Sequence, residues 1–475
     1  MSRYAPRLAV ALLLALSGCR SLPPGEAPAT ATATPADVVV LAAPPADWAA
    51  LHGRRVRIAA PLTITGNAGL DRDARIVASF GGRLWAPTEM ARPGADAARV
   101  AAGNRARRLA IALPMEAAGQ PARWRSGGTL ATGIEGELRL DDGMPVLHLA
   151  SVPDVRTAER PAAPRVAGDL RLATLNVENL FNGDGRGGGF PTTRGAASHD
   201  AYLRQRGKLV ATLRGLDADV VALMEIENDG FGAEASITQL VDALNVGGGA
   251  WQAVATEATA LGGDQIAVGI IYRADRVSAV GAPATLSGGP FDWGSRVPLA
   301  QAFRAGDGPV FTVIANHFKS KSCGDATGEQ ADQGDGQACW NPLRRDAADR
   351  LATWVQTDPT RSGTDLAAIV GDFNAYAQED PIQLLAAAGW RDALVRGGVS
   401  RPYSFVFDAQ AGRLDHVLVT DAMAVRIAGA AEWHANADEA RNVGYEDDIT
   451  PPSASTPWRS SDHDPAVVGF RLHAR

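Results

Sequence analysis

The sequence predicts a small all-β region over about residues 37–160, followed by a larger α/β domain over residues 166–475. Three observations lead there. The front region consists of short apolar runs, many β-branched, separated by Gly and Pro clusters and with little helical periodicity. Beyond the linker at 161–165, strand-like and helix-like runs alternate, as they do in layered α/β folds. Each strand-like run in that second region ends beside a polar residue able to do chemistry. The last, Ala466-Val467-Val468-Gly469-Phe470, is entered through Ser461-Asp462-His463-Asp464-Pro465.

The chain has 475 residues and a formal charge of −7, which argues against general attraction to nucleic acid but leaves room for a local cationic groove. Arg3 and Arg7 precede the run Leu8–Leu16, which is too short to span a bilayer and suits a signal-peptide core. The following Leu16-Ser17-Gly18-Cys19 resembles the bacterial lipobox. It implies a leader over residues 1–18, a lipid on Cys19 and a Pro/Ala/Thr-rich tether over 19–36. By that reading the protein is an exported lipoprotein of the outer membrane or cell surface, or is released from it, and touches membrane only through its lipid. The remaining cysteines, Cys323 and Cys339, amount to one disulfide in an exported chain. The Gly/Asp loop between them, with Asp332 and Asp335, has the composition of a structural Ca²⁺ site without EF-hand spacing.

In the front region, Arg55–Ile58, Pro61–Asn67, Ile76–Ala78, Leu109–Leu113, Gly133–Leu138 and Val146–Ala150 read as strands, and their order is similar to an OB-fold. Arg105, Arg107 and Arg108 form a basic cluster, with Trp85 and Trp124 as candidate stacking faces for single-stranded nucleic acid. The competing reading makes the tryptophans core and the arginines solvated.

In the second region, Leu170–Asn176 is a strand ending in Asn176, and Leu203–Leu216 is a helix. Asp219–Glu225 is a strand ending in Glu225, and the stripe Ile237, Leu240, Val241, Leu244 is a helix. Strands at Ile266–Arg273 and at Val310–Ala315 follow, the latter ending at Asn316-His317. A helix marked by Ala347, Leu351, Trp354 and Val355 comes next. Leu366–Val370 leads into Gly371-Asp372-Phe373-Asn374, and Asp415-His416 opens Val417–Val419. Residues beside strand ends collect on one rim of such folds. Asparagines, carboxylates and histidines there suit a hard divalent cation with an adjacent acid and base. Zinc would want more His or Cys ligands. The sequence has neither a P-loop nor a serine nucleophile elbow, which disfavours nucleotide kinases and serine hydrolases.

The ordered set Leu175-Asn176, Met224-Glu225-Ile226-Glu227-Asn228, Asn316-His317-Phe318-Lys319, Gly371-Asp372-Phe373-Asn374, Leu414-Asp415-His416 and Ser461-Asp462-His463-Asp464-Pro465 resembles the endonuclease/exonuclease/phosphatase superfamily. Asn316–Lys321 and the Gly/Asp/Cys loop resemble its bacterial extracellular deoxyribonucleases, which often carry an OB-like domain in front. The resemblance implies a DNase I-like four-layer sandwich of two β-sheets flanked by helices. It also implies roles. Glu225, Asn176 and Asp462 would hold Mg²⁺ or Mn²⁺, and Asp372 and Asn374 would position the attacking water or the phosphate. His463 would be the general base, oriented by Asp415, and His317 a proton donor; apart from the resemblance, Asp264, near the start of the Ile266–Arg273 strand, is taken as the carboxylate that orients His317. Arg296, Asn316 and Lys319 would bind the substrate. His416, on the opposite face of its strand from Asp415, is expected to be structural.

The expected activity is therefore metal-dependent hydrolysis of phosphodiesters, with DNA as substrate and RNA as an alternative, by a monomer. A phosphatase or phospholipase C-like enzyme of the sphingomyelinase or inositol phosphate type is the second reading. A non-catalytic nucleic-acid-binding protein is the third. The Gly-rich stretch Asn182–His199 reads as either a lid or an unstructured loop.

Overall fold

Two six-stranded sheets pack face to face in the second region of a computed structural model that describes residues 38–448, 451 and 454–473. The leader, Cys19 and the tether lie outside the described residues. One sheet runs in the order Trp251–Ala253, Ile266–Arg273, Val220–Glu227, Leu170–Leu180, Ala466–Phe470, Ile427–Glu432. The other runs Val277–Thr285, Leu299–Ala305, Val310–His317, Ala367–Asp372, Asp415–Val419, Arg391–Asp392.

Alternate side chains of a strand point to opposite faces, and here both faces are covered. Leu172, Ala222, Met224 and Val468 meet Phe303, Phe311, Val370 and Val417 in the inner core. From the same strands, Ala173, Leu175, Val221 and Val467 pack outward on helices His199–Leu216 and Ser236–Asn245. Ile314, Ile369 and Leu418 do the same against Asn341–Gln356 and Asp380–Ala387. The four layers explain why the strands read as unbroken apolar runs. They also leave polar residues only at strand ends.

The front region curls a nine-stranded sheet around its own core, centred on Ile58, Leu62, Ile76, Leu109, Leu138 and Leu147. Arg55–Ile58 pairs with Ile134–Asp141, while the continuing segment Leu62–Gly69 pairs with Arg75–Phe80. Arg108–Ala112 runs parallel to Met144–Leu149. An unexpected helix spans Ala95–Arg107. It is built mostly of Ala and Arg, strong helix formers that leave no stripe of large apolar residues to betray it.

The basic cluster and tryptophans are not a stacking surface. Trp124 is wholly buried and donates its Nε1–H to Ala117 O at 2.9 Å. Trp85 packs edge-on against Tyr403. Arg107 donates to the carbonyls of Phe80, Gly82 and Arg83, and Arg108 pairs with Asp408.

The stretch Asn182–His199 folds as an ordered loop, tied by Arg186 to Glu234 and by Asn182 to Glu227. Cys323 and Cys339 form a disulfide. Within its loop, the Asp332 carboxylate accepts Gly334 N–H and that of Asp335 accepts Gln337 N–H. These carboxylates are occupied by their own turns. Among the described residues, the loop brings no three His, Cys, Asp or Glu side chains together.

The front sheet and the sandwich do not part as separate bodies, because residues 38–475 cluster as one unit. Asp438 and Glu439, beneath the His463 loop, receive Arg83, Arg125 and Arg160 from the front region. Of the described residues, no helix is long and apolar enough to cross a membrane.

Candidate active site

Register alone brings three site residues together. His317 stands opposite Asp372 across a parallel strand pair, and Asp372 stands opposite Asp415 across an antiparallel one. The first strand pair can approach so closely only because position 371 is glycine, where a Cβ would lie 2.0 Å from Asn316 O. The facing sheet contributes Asn176, Glu225 and the Asp462-His463 loop. Glu178, Glu225 and Asn374 all adopt left-handed backbone, with φ of 55°, 67° and 47°. Glu225 sits at a bulge between Met224 and Ile226, and Glu178 at another between Asn176 and Leu180. Such bulges re-aim side chains, and non-glycine residues in this conformation cost about 1–3 kcal/mol each, so the surrounding fold must impose them.

The contacts link both sheets. His463 Nδ1 is 2.7 Å from Asp415 Oδ2, which also accepts Ser404 Oγ–H at 2.6 Å. Asn176 Nδ2 bridges Glu225 Oε1 at 3.1 Å and Asp372 Oδ2 at 3.2 Å. Asn179 N–H donates to Glu225 Oε2 at 3.0 Å. His317 Nε2 lies 3.5 Å from Asp372 Oδ2. The His463 loop is fixed from below, where Asn436 Nδ2 donates to His463 O and the Asp464 carboxylate accepts Asn436 N–H and Ala437 N–H.

Burial and neighbouring charge set the protonation of these groups. Burial raises Glu178 to about 7 against the pull of Arg459, with Asp462 and Glu225 adding to the rise. Burial and Asp462 raise Glu225. Burial and Asp415 raise Asp372 to about 7. Burial opposes charge on His463, but Asp415, Asp462 and Asp372 outweigh it and hold its pKa well above the usual histidine range. Burial and the adjacent Arg296 push His317 far below that range, so it stays neutral.

Crowded, half-neutralised carboxylates are what a divalent cation relieves. Among the described residues, Asp372, Asp415 and His463 bring ligand atoms within 4.8 Å of one another. Asp415 and His463 are already bonded to each other, however. Glu178, Glu225 and Asp462 stand close enough to interact electrostatically, and their all-oxygen character is what a hard ion such as Mg²⁺ or Mn²⁺ prefers. Asn176 donates its amide N–H to the Glu225 and Asp372 carboxylates and accepts Glu178 N–H at Oδ1, so it braces the site.

Several expected roles change. Asp264 does not orient His317, since its carboxylate faces Arg296 and Arg194 at 3.5 and 3.7 Å. The carboxylate beside His317 is Asp372. Asn316 is wholly buried and donates to Val370 O at 2.9 Å, which withdraws it from the substrate. Asn374 bonds Phe318 O and, through its N–H, Asp372 Oδ1, so it holds Asp372 in place. Lys319 lies over Trp293 and Trp340 and shares a cleft of about 550 Å³ with Arg194, Arg296 and Glu225. His416 bonds Ala375 O, away from the centre. Glu178, Arg194 and Arg459 were not anticipated. Only Glu178 had a signal, standing two residues beyond Asn176 on one strand.

The endonuclease/exonuclease/phosphatase family model matches residues 173–463. No curated protein matches the sequence. Among solved structures, the endonuclease/exonuclease/phosphatase of Bacteroides vulgatus is 13% identical, covers 64% of this chain and 99% of its own, and gives a TM-score of 0.41. The human Nocturnin catalytic domain with bound sulfate is 15% identical, covers 64% and 93%, and gives 0.40. A D. rerio TDP2 complexed with single strand DNA product is 16% identical, covers 63% and 97%, and gives 0.39.

Proposed function

Because the chain belongs to the endonuclease/exonuclease/phosphatase family, whose hydrolases act on phosphoester bonds, we propose that it is a metal-dependent phosphodiesterase that cuts polynucleotides, DNA before RNA, within the strand. One observation carries the reading. The centre opens on two sides: a cleft holding Arg194, Arg296 and Lys319 reaches Glu225, and a second, of about 340 Å³, reaches Asp462 from the front sheet. A diester inside a chain has two arms to accommodate, whereas a terminal monoester has one.

In this reading Glu178, Glu225 and Asp462 would hold a divalent ion, which would supply charge neutralisation for the phosphoryl group. His463, in its neutral form, takes a proton from the attacking water through Nε2 while Asp415 holds Nδ1–H and stabilises the imidazolium that results. The new P–O bond forms from that water as the bond to the leaving oxygen breaks; the leaving oxygen takes a proton from solvent water, and the His463 imidazolium returns its proton to solvent. Neutral His317 donates a hydrogen bond to the phosphate, not a full proton from an imidazolium. Arg296 and Arg194 attract the phosphate. A cation held there would let the crowded carboxylates ionise together, and its positive charge would favour the neutral form of His463.

The proposed setting is the outside of a bacterial cell, with anchoring through Cys19. An OB-like description of the front sheet is supported by the continuous segment 55–69 pairing on two sides and by the parallel pair Arg108–Ala112 with Met144–Leu149. Turnover of supercoiled plasmid, bis-p-nitrophenyl phosphate and sphingomyelin, with and without EDTA, tests the reading. Metal-dependent nicking of plasmid supports it. Hydrolysis of sphingomyelin without nicking would replace it by the phospholipase C-like alternative, and no turnover at all by a binding protein.

A further inference from the structure

We propose that the hairpin of strands Phe405–Phe407 and Gln410–Gly412 carries a stacking step for an unpaired base of the substrate strand beside the scissile phosphate. This rests on the phosphodiesterase reading above and narrows its substrate to a polynucleotide that is single-stranded on this side of the centre.

The hairpin places two aromatic rings in series with the catalytic imidazole. The Phe405 ring lies 4.6 Å from that of His463 at an interplanar angle of 31°. The Phe407 ring lies within 12° of parallel to Phe405, with centroids 6.5 Å apart, and Phe407 is 67% exposed. A single exposed phenylalanine is ordinary on a protein surface. One that continues a ring series ending on the general base is a different matter, since nothing in the fold needs it there.

The hairpin is also held rigidly from the front region. Its turn residues Asp408 and Ala409 are both left-handed, with φ of 47° and 60°, and the tip packs so tightly that a Cβ at Gly66 would lie 2.7 Å from Ala409 Cβ. Arg108 grips the Asp408 carboxylate with two hydrogen bonds of 2.7 and 2.8 Å. Ala411 exchanges backbone bonds with Ala86 and Leu84, and Asn104 Nδ2 reaches Gln410 Oε1 at 2.8 Å. A rigid aromatic mount gives up little entropy when a ligand stacks on it.

Cations line the cleft beside Phe405. Arg72 and Arg441 are exposed there, and Arg459 stands nearer the centre, 3.5 Å from Glu178. The lining also carries Asp73, Asp408, Glu439 and Asp462, so in a chain of net charge −7 the cleft is only slightly cationic, with Arg72 and Arg441 as its exposed positive groups. Aromatic faces interleaved with backbone-tracking cations are the requirement for single-stranded nucleic acid. Bases inside a duplex already stack on each other and offer Phe407 no face, and a sugar or lipid phosphate has no π-face to offer.

The test uses the whole protein and a fluorescein-labelled oligothymidylate. Binding is read by anisotropy in EDTA and cleavage by steady-state kinetics with Mg²⁺. Phe407→Ala is expected to weaken binding and raise KM about tenfold, the lower part of the range for one lost stacked base. Phe407→Trp should restore both, and Val425→Ser, at an exposed site elsewhere, should change neither. An oligomer of abasic residues should bind the wild type about as weakly as oligothymidylate binds Phe407→Ala, with no further loss in the variant. If the wild type cuts oligothymidylate and Phe407→Ala binds it equally well, the stacking step is wrong while the phosphodiesterase reading stands. Equal loss on the abasic oligomer, or binding to phosphatidylglycerol vesicles that depends on Phe407, would also overturn it. A wild type that hydrolyses only sugar or lipid phosphates removes both readings.

Discussion

His463 and Asp415 lie 48 residues apart in sequence and meet through a 2.7 Å contact between Nδ1 and Oδ2, the same carboxylate oxygen that accepts Ser404 Oγ–H at 2.6 Å. The histidine comes from a loop of one sheet and the aspartate from a strand of the other. Their contact fixes which imidazole nitrogen faces the phosphate.

His463→Ala should lower kcat by about 10²–10⁴, the usual contribution of a general base, with an unchanged circular dichroism spectrum. Asp415→Asn keeps the shape but presents the imidazole with the wrong partner, and should cost about 10–100-fold. Plasmid nicking assays measure both. Wild-type rates in either variant would dismiss the pair.

Glu178→Gln and Glu225→Gln should each weaken Mg²⁺ or Mn²⁺ binding, by about tenfold or more in titration calorimetry, since each removes one anionic oxygen donor from a hard-ion site. In EDTA the same variants should melt about 2–4 °C higher than the wild type, because they remove a buried carboxylate repelled by its neighbours. Unchanged cation affinity in both would exclude that oxygen group as the metal site.

Glu432 carries a pH signature away from the centre. Its Oε1 is sealed from water without a hydrogen-bond partner, and burial raises its pKa to about 8 although His434 and Arg413 pull the other way. A carboxyl raised in the folded state stabilises fully below its unfolded pKa, and that contribution is lost as pH rises through the folded value. The wild type should therefore lose stability between about pH 5 and pH 9 relative to Glu432→Gln. Melting curves across that range check the sign, and parallel curves would refute it.

Asp438 is 2% exposed and meets Arg83 at 2.7 Å, Arg125 at 3.5 Å and the Tyr403 hydroxyl at 2.9 Å. Asp438→Asn leaves Arg83 without its anion and Arg125 with Glu439 alone, and should cost about 3–5 kcal/mol in urea unfolding. Nicking should fall as well, because neighbouring Asn436 holds the His463 loop.

Much of the sandwich was legible because both faces of its strands are buried, so each announces itself as an apolar run and its polar terminus stands out. Asp372, Asp415, Asp462 and His463 were found that way. Contacts set by bulges and long loops were not. Glu178 turns into the site only because the strand breaks register after Asn176. The partner of Asp264 was misjudged because sequence offers no distance between Asp264 and Arg296, which prove to be ion-paired. Of the two readings left open for Trp124, stacking face or core, the structure shows the core, and sequence could not choose because an indole that fills a core looks like one that faces a ligand.

The linker around Pro161–Pro164 marks a boundary that the folded chain does not respect. Arg83, Arg125 and Arg160 supply the counter-charge for Asp438 and Glu439, so a fragment starting beyond the linker would carry two orphaned anions in the floor of its own machinery. Transplanting the hydrolytic half behind any other leader region would have to bring three guanidinium groups along with it.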